Sequence, residues 1–500
     1  MLKFHYGPLY SKLEGPPKEL AYVKTLLTFS ELEESFYVEG LSLLERGSKM
    51  LSGLIPMVTR HLDSASIEYE LVNYPELRDI EEVVVDENIL RGATLRDYQK
   101  SIATKALYRQ RGLVISPTGS GKTIISATVS KWIELNEGKK TLMIVPGVNS
   151  LHQMWGRWTE YGLRDVGRLG DGKKDLDAFH LIAVVNSLHK IGKSKGSDFS
   201  KWLRDVIAIQ WMEVQHLQAP MWLSTGANTD APYRLGLSAT PFSEEKPKTR
   251  ADYSILGMTG DPVVELSDSV LMDLGHMATP RVHFLDAKSE GIGAERDWLI
   301  VKKYGVNENA ARNDMIRDLA VGLVKRGRKI IVLVTEISHG KRLGKAISRE
   351  FFPVLFYHGG SKLITFDQGR EIGARKTPIN ELREQLDDIE GGYVLIGSPA
   401  VDEDADFPDA NVLILAGAGK AYRRVIQRSG RVLRAKPGEN TVDIIDFNDK
   451  GSFVLKNQAK TRRRFFISRY SHARDFKALD YSDPNQIIRS ICGDVGSRDE

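Results

Sequence analysis

The chain has 500 residues, with 70 Lys+Arg against 66 Asp+Glu and a formal charge of +4. Its 41% hydrophobic and 27% charged content excludes disorder as the main state, and 44 Gly and 19 Pro without a period exclude a collagen-like repeat. One cysteine, Cys492, permits no internal disulfide and no thiolate zinc site, and the absence of a long apolar run predicts a soluble, cytoplasmic protein with no membrane segment.

Residues 1–90 mix short apolar stretches with turns, as in Gly53-Leu-Ile-Pro56, and end in an acidic run, Glu76 to Glu87. They read as a separate N-terminal module. From Arg91 the texture changes. Apolar runs at Leu113–Ser116, Thr141–Val145, Leu181–Val185, Val206–Ile209 and Tyr233–Leu237 alternate with helical patterns, which predicts βαβ units and a buried parallel sheet over 91–280.

The first of these runs leads into Pro117-Thr118-Gly119-Ser120-Gly121-Lys122-Thr123 and then a helical pattern. Gly119 and Gly121 let the backbone curl so that its N–H groups converge on phosphate oxygens, and the helix beginning near Lys122 adds its positive end. This is a P-loop for ATP, with Lys122 on the β- and γ-phosphates and the Thr123 hydroxyl on Mg²⁺. Ser116 stands where the full pattern has its first Gly.

Next come Val145-Pro-Gly-Val-Asn-Ser-Leu-His-Gln-Met-Trp155 and Val184-Val-Asn-Ser-Leu-His189, both at strand ends. There Ser150, Asn186, Ser187 and Lys190 are placed to contact phosphates, against the plain reading of ordinary loop polarity. About 90 residues after the P-loop stands Val206-Ile-Ala-Ile-Gln-Trp-Met-Glu-Val-Gln-His216, and Ser238-Ala-Thr-Pro241 follows. Residues 241–280 read as a connector.

A second strand series, Val282–Leu285, Lys329–Thr335, Val354–Tyr357, Tyr393–Ile396, Asn411–Leu415 and Thr441–Ile445, predicts another doubly wound unit over 281–470. It carries Val401-Asp-Glu-Asp-Ala-Asp-Phe-Pro408 and Gln427-Arg-Ser-Gly-Arg-Val-Leu-Arg434. Lys460-Thr-Arg-Arg-Arg464 beside Phe465-Phe466 reads either as a nucleic-acid groove with stacking support or as a solvated helix face. Residues 471–500 read as a peripheral polar tail. His339 and His358 have no ligand spacing and are assigned no metal.

Together with Leu95-Arg-Asp-Tyr-Gln99, the order and spacing of these motifs resemble a superfamily 2 helicase, and within it the XPB/UvsW-type DNA translocases, a group with phage members. The resemblance implies two RecA-like doubly wound domains behind a small α+β N-terminal domain, which in such proteins assists DNA binding. It implies that Gln99 reads the adenine edge and that Ser238 and Thr240 link nucleotide state to strand contacts. Asp406, Gln427, Arg431 and Arg434 match the family's fifth and sixth motifs, and the two arginines would clamp phosphate from the second domain.

Glu213 takes the place of the residue that positions the attacking water, and His216 the coupling position. Met212 stands where the family has the Mg²⁺-holding Asp, and a thioether is no substitute for a carboxylate on a hard cation. The resemblance thus implies an ATP-dependent helicase or translocase on duplex or branched DNA, in replication, recombination or repair. Two alternatives stay open: a hydrolysis-impaired DNA clamp, which Met212 favours, and an RNA-directed motor. Protein partners are not legible.

Overall fold

The computed structural model describes residues 1–500 except 34–35, 46, 76–79, 193–197, 228, 243–246, 248, 289–291, 360, 399–409, 420–440 and 494–500. Its contacts divide it into two units, Met1–Leu266 and Ser267–Glu500.

The first unit opens with short strands β1 (Leu2–His5), β2 (Tyr10–Glu14), β3 (Thr28–Glu33), β4 (Phe36–Ser42), β5 (Lys49–Leu51) and β6 (Tyr69–Val72). Four of them form a sheet in the order β5-β2-β1-β6, while β3 and β4 pair as a separate antiparallel ribbon. Leu2, Phe4, Leu13 and Met50 point inward from the sheet, and Val58 and Leu62 of the helix Ile55–Ser64 join the same core.

This module shares its core with the sheet that follows. A Cβ on Gly53 would lie 2.2 Å from the Leu256 carbonyl oxygen, and one on Gly257 would lie 2.7 Å from the Leu51 side chain. The two glycines therefore permit a close approach onto the helix Arg250–Thr259. Arg111 ties the same seam by donating to the carbonyls of Pro8 (3.2 Å) and Thr259 (3.3 Å).

The main sheet comprises β7 (Arg111–Ile115), β8 (Lys140–Val145), β9 (Val166–Gly170), β10 (Lys173–Lys174), β11 (His180–Val184), β12 (Val206–Met212), β13 (Tyr233–Ser238) and β14 (Pro262–Glu265). Their order is β10-β9-β11-β8-β12-β13-β7-β14, parallel except for β10. Strands β11 and β13 are buried at every position, because helices cover both faces of a parallel sheet. All five anticipated runs are strands. Within the stretch read as a connector, residues 249–265 include regular structure: Thr249 caps the helix Arg250–Thr259, and β14 closes one edge of the sheet.

The second unit contains β15 (Thr279–Lys288), β16 (Ile330–Leu333), β17 (Val354–His358), β18 (Lys362–Asp367), β19 (Arg370–Lys376), β20 (Val394–Gly397), β21 (Val412–Leu415), β22 (Thr441–Lys450) and β23 (Lys477–Tyr481). The order is β19-β18-β17-β20-β16-β21-β22-β15-β23, parallel except that β18 runs antiparallel to both its neighbours, β17 and β19. The fold is thus α/β with two largely parallel sheets, as anticipated. The β18–β19 hairpin was not.

Residues 477–492 do not form a peripheral tail. They supply edge strand β23 and the helix Pro484–Cys492, whose Ile487, Ile488 and Ile491 enter the core. Gly322 makes room for this helix, since a Cβ there would stand 2.4 Å from Ile488 Cδ1.

Candidate nucleotide site

The bend after β7 has the conformation that phosphate cradles require. Gly119 and Gly121 both have φ of +86°, in the left-handed region that favours glycine, and the helix Lys122–Glu137 starts directly behind them. Its first N–H groups have no partner within the helix and face the bend. Lys122 folds back and donates to the carbonyls of Ser116 (3.1 Å) and Pro117 (3.0 Å). These are places that phosphate oxygens can take over. Ser116, the departure from the full pattern, is buried and accepts a hydrogen bond from the Ser120 hydroxyl at 3.0 Å. The substitution thus braces the loop internally.

Gln99 is buried at 2% exposure and spends its carboxamide on this same loop. It accepts from the Arg96 N–H (3.1 Å) and donates to the Ser120 carbonyl (3.1 Å), which also accepts from the Tyr98 hydroxyl (2.8 Å). A Cβ on Gly121 would meet Gln99 Nε2 at 2.3 Å, so that glycine is required twice over. Tyr98 was not singled out from the sequence.

Glu213 follows the end of β12 with φ of +54°, an unfavourable conformation for a residue with a Cβ. Such strain concentrates at functional positions. The turn sends Gln215 inward. Its Nε2 donates to Glu213 Oε2 at 2.7 Å, and its Oε1 accepts from the Ser238 hydroxyl at 2.7 Å. Ser238 Oγ in turn accepts from the Thr240 N–H at 2.9 Å, and the Ser238 carbonyl accepts from the Ser116 N–H at 3.0 Å. One chain of hydrogen bonds therefore joins Glu213, the β13 end and the start of the phosphate bend.

This geometry puts Gln215, the residue before the expected coupling position His216, between Glu213 and Ser238. His216 is exposed and stacks on Trp222 at 5.0 Å. Gln215, only 7% exposed, occupies the link. The left-handed turn at Glu213 rotates the next residues so that 215, not 216, faces Ser238. Met212 is buried with Ile125, Met154 and Leu237 in an apolar cluster. At this rim Thr123 carries a hydroxyl and position 212 a thioether, where a carboxylate would suit a hard cation better. Among the described residues no group of three His, Cys, Asp or Glu side chains is arranged to hold a metal.

The phosphate-contact candidates sit on the same rim. Ser150 lies in the first turn of the helix Val148–Glu160 after β8, and Asn186 and Ser187 lie in the first turn of the helix Val185–Gly192 after β11. Asn186 and Lys190 are exposed and Ser187 is half-buried. Asp406, Gln427, Arg431 and Arg434 lie outside the described residues.

Of the Lys460–Phe466 cluster, Lys460, Thr461 and Arg464 are exposed, as on a solvated helix face, while the other charged and aromatic members turn to the protein. Arg462 is buried on Asp446 (2.8 Å), Arg463 pairs with Asp480, and Phe465 and Phe466 are core residues. Those charges hold the helix Phe453–Tyr470 to the sheet and leave no stacking platform.

Residues 92–243 match the family described as the type III restriction enzyme res subunit, and residues 311–436 match the helicase conserved C-terminal domain. The chain is 24% identical over 405 residues to the DNA 3′-5′ translocase XPB2 of Sulfurisphaera tokodaii, covering 72% of this chain and 84% of that protein. It is 22% identical over 415 residues to the ATP-dependent DNA helicase uvsW of Enterobacteria phage T4, covering 79% and 76%. A solved fragment of a putative HsdR subunit of a type I restriction enzyme from Vibrio vulnificus shares the fold, with a TM-score of 0.56 over 90% of this chain and 91% of that one, at 15% identity. The two family matches together take in more than half of the chain, and with these relatives they make it a member of the superfamily 2 helicases and translocases.

Proposed function

We propose that this chain is an ATP-dependent DNA helicase or translocase that grips duplex or branched DNA independently of sequence. One observation carries the reading: the glycine bend at 117–121 and the strained Glu213 share a rim and are joined through Gln215 and Ser238. On this reading Lys122 exchanges its loop carbonyls for phosphate oxygens, Glu213 orients the attacking water, and Gln99 shapes the base end of the pocket through the loop it braces. Ser150, Asn186, Ser187 and Lys190 position the DNA backbone. Asp406, Gln427, Arg431 and Arg434 complete the nucleotide site, as the family's motifs imply. The chain organises as an N-terminal accessory module and two RecA-like domains.

ATP brings the phosphoanhydride that is cleaved, with Mg²⁺ as its usual companion in this family. Met212 weakens the protein's hold on that ion and slows turnover, by about 10–100-fold on the scale seen when a metal site loses a supporting group. The test is DNA-stimulated ATPase and nucleotide affinity for the wild type, Lys122→Ala and Met212→Asp. Lys122→Ala is expected to lose ATP binding, and Met212→Asp to raise Mg²⁺-dependent turnover at least severalfold. Unchanged ATP affinity in Lys122→Ala overturns the nucleotide site, and equal turnover in Met212→Asp overturns the metal argument.

A further inference from the structure

The β18–β19 hairpin and the helix Ile337–Ile347 beside it carry a concentration of charge that the nucleotide site does not use. Residues 337–349 contain Lys341, Arg342, Lys345 and Arg349 and no acid. Residues 361–376 add Lys362, Arg370, Arg375 and Lys376 against Asp367 and Glu371. The surplus over this short span exceeds the +4 of the entire chain. We infer that this helix face and edge strand form a second binding surface for the phosphodiester backbone of DNA, apart from the rim at β8 and β11; the inference rests on the proposed DNA-directed function.

The surface is held in one piece. Both Glu371 carboxylate oxygens accept from Lys341 Nζ at 3.1 Å, which ties β19 to the helix. At the hairpin tip the Gly369 N–H donates to Ser348 Oγ at 3.2 Å, and Gly369, with φ of +77°, lies so close that a Cβ there would stand 3.1 Å from Arg349. At the base the Thr377 N–H donates to the Ser361 carbonyl at 2.8 Å, and the Tyr357 hydroxyl donates to the Thr377 carbonyl at 3.1 Å. The hairpin is therefore a preformed extension of the sheet.

Its charges are available. Every residue of β19 is exposed, as are Lys345, Arg349 and Lys362. Among the described residues Lys345, Arg349, Lys362, Arg370 and Lys376 have no acidic partner, whereas Lys341, Arg342 and Arg375 pair with Glu371, Glu308 and Glu381. Lys341 and Lys345 stand four residues apart on the helix, about 6 Å along its axis, and Arg349 follows in the turn after it. Long, flexible stems at that spacing reach the charges of a strand whose phosphates recur about every 3.4 Å along the axis. Charged residues on an edge strand also deter unwanted strand pairing. That role does not account for Lys345 on the helix or Arg349 just after it, neither of which lies on an edge strand.

The test is DNA affinity of the full chain, read by anisotropy of labelled single-stranded and duplex oligonucleotides between about 50 and 200 mM salt. The triple variant Lys345→Glu, Arg349→Glu, Lys376→Glu is compared with the wild type. Loss of three phosphate contacts is expected to lower affinity at least tenfold and to reduce the salt slope by about 2–3. All three positions are exposed, so the thermal midpoint and DNA-independent ATPase stay at wild-type values. A loss confined to one probe supports the surface and names its ligand. A wild type that binds no DNA overturns this inference together with the proposed function. A wild type that binds while the variant matches its affinity and slope overturns the inference alone, and is the result expected if the surface serves an acidic protein.

Discussion

The two units secure comparable stretches at their sheets by different means. In the first, the turn after β12 is held through a neutral amide and a hydroxyl: Glu213 to Gln215 at 2.7 Å, then Gln215 to Ser238 at 2.7 Å. In the second, the stretch after β21 is held by buried arginines. Arg312 donates to the Ala416 carbonyl (3.3 Å) and pairs with Asp449 (2.6 Å), while Arg462 donates to the Gly419 carbonyl (3.0 Å) and pairs with Asp446 (2.8 Å). Amide and hydroxyl links of this kind each contribute about 0.5–1.5 kcal/mol and can exchange partners when a phosphate arrives. A desolvated ion pair cannot be opened without leaving a bare charge in the interior. The first arrangement suits a part that rearranges with the nucleotide, the second a fixed anchor.

The largest expected effect breaks the anchor. Burial alone pushes the Arg312 guanidinium below its usual range and the Asp449 carboxyl above its own, so each depends on its neighbours for charge. Arg312→Met leaves Asp449 with Arg462 at 3.7 Å as its remaining cation and is expected to destabilise the second unit by about 3–5 kcal/mol. Arg312→Met/Asp449→Leu removes both charges and recovers most of that loss. Hydrogen exchange resolved over residues 267–493 measures both variants. Wild-type protection in the single variant would show that the ion pairs do not anchor this region.

A smaller effect tests the exchangeable link. Gln215→Ala is expected to lower ATP turnover about tenfold, the worth of one such hydrogen bond, with ATP affinity nearly unchanged. His216→Ala loses a stacking contact with Trp222 and leaves turnover as it was. Steady-state kcat and KM for the two variants decide the matter. The reverse pattern would place the coupling role at His216, as the family resemblance implies.

The same contrast explains what the sequence discloses. Buried parallel strands appear as unbroken apolar runs, and a glycine bend between strand and helix has a conformation its residues announce. Gln215 was hidden because its inward direction depends on Glu213 at φ of +54°, which no glycine or asparagine signals. The Lys460–Phe466 helix misled because its partners, Asp446 and Asp480, are distant in sequence. The helix Pro484–Cys492 did carry a readable start, Asp483-Pro484 ahead of Ile487, Ile488 and Ile491, and the Gln368-Gly369 turn was a fair hairpin signal.

The smallest expected effect concerns charge buried beneath the exchangeable side. On the helix behind the phosphate bend, burial alone would raise the Glu134 carboxyl, but hydrogen bonds from His180, Lys131 and the Arg164 N–H outweigh it and hold the group at about 2. A depressed carboxyl stabilises the fold above the unfolded value near 4.5 and loses that contribution as pH falls towards 2. Burial also holds His180 below its ordinary 6.5, so the unfolded chain takes up that proton first and stability declines as pH drops through 6.5. Glu134→Gln therefore lowers the thermal midpoint of the first unit at pH 7, and the gap to the wild type narrows between about pH 4.5 and pH 2. The second unit, whose His339 burial holds at about 3, is untouched by the substitution and serves as the internal reference. A gap that stays constant across this range would mean that Glu134 contributes packing alone, and the polar layer under the bend would then be as fixed as the arginine anchor.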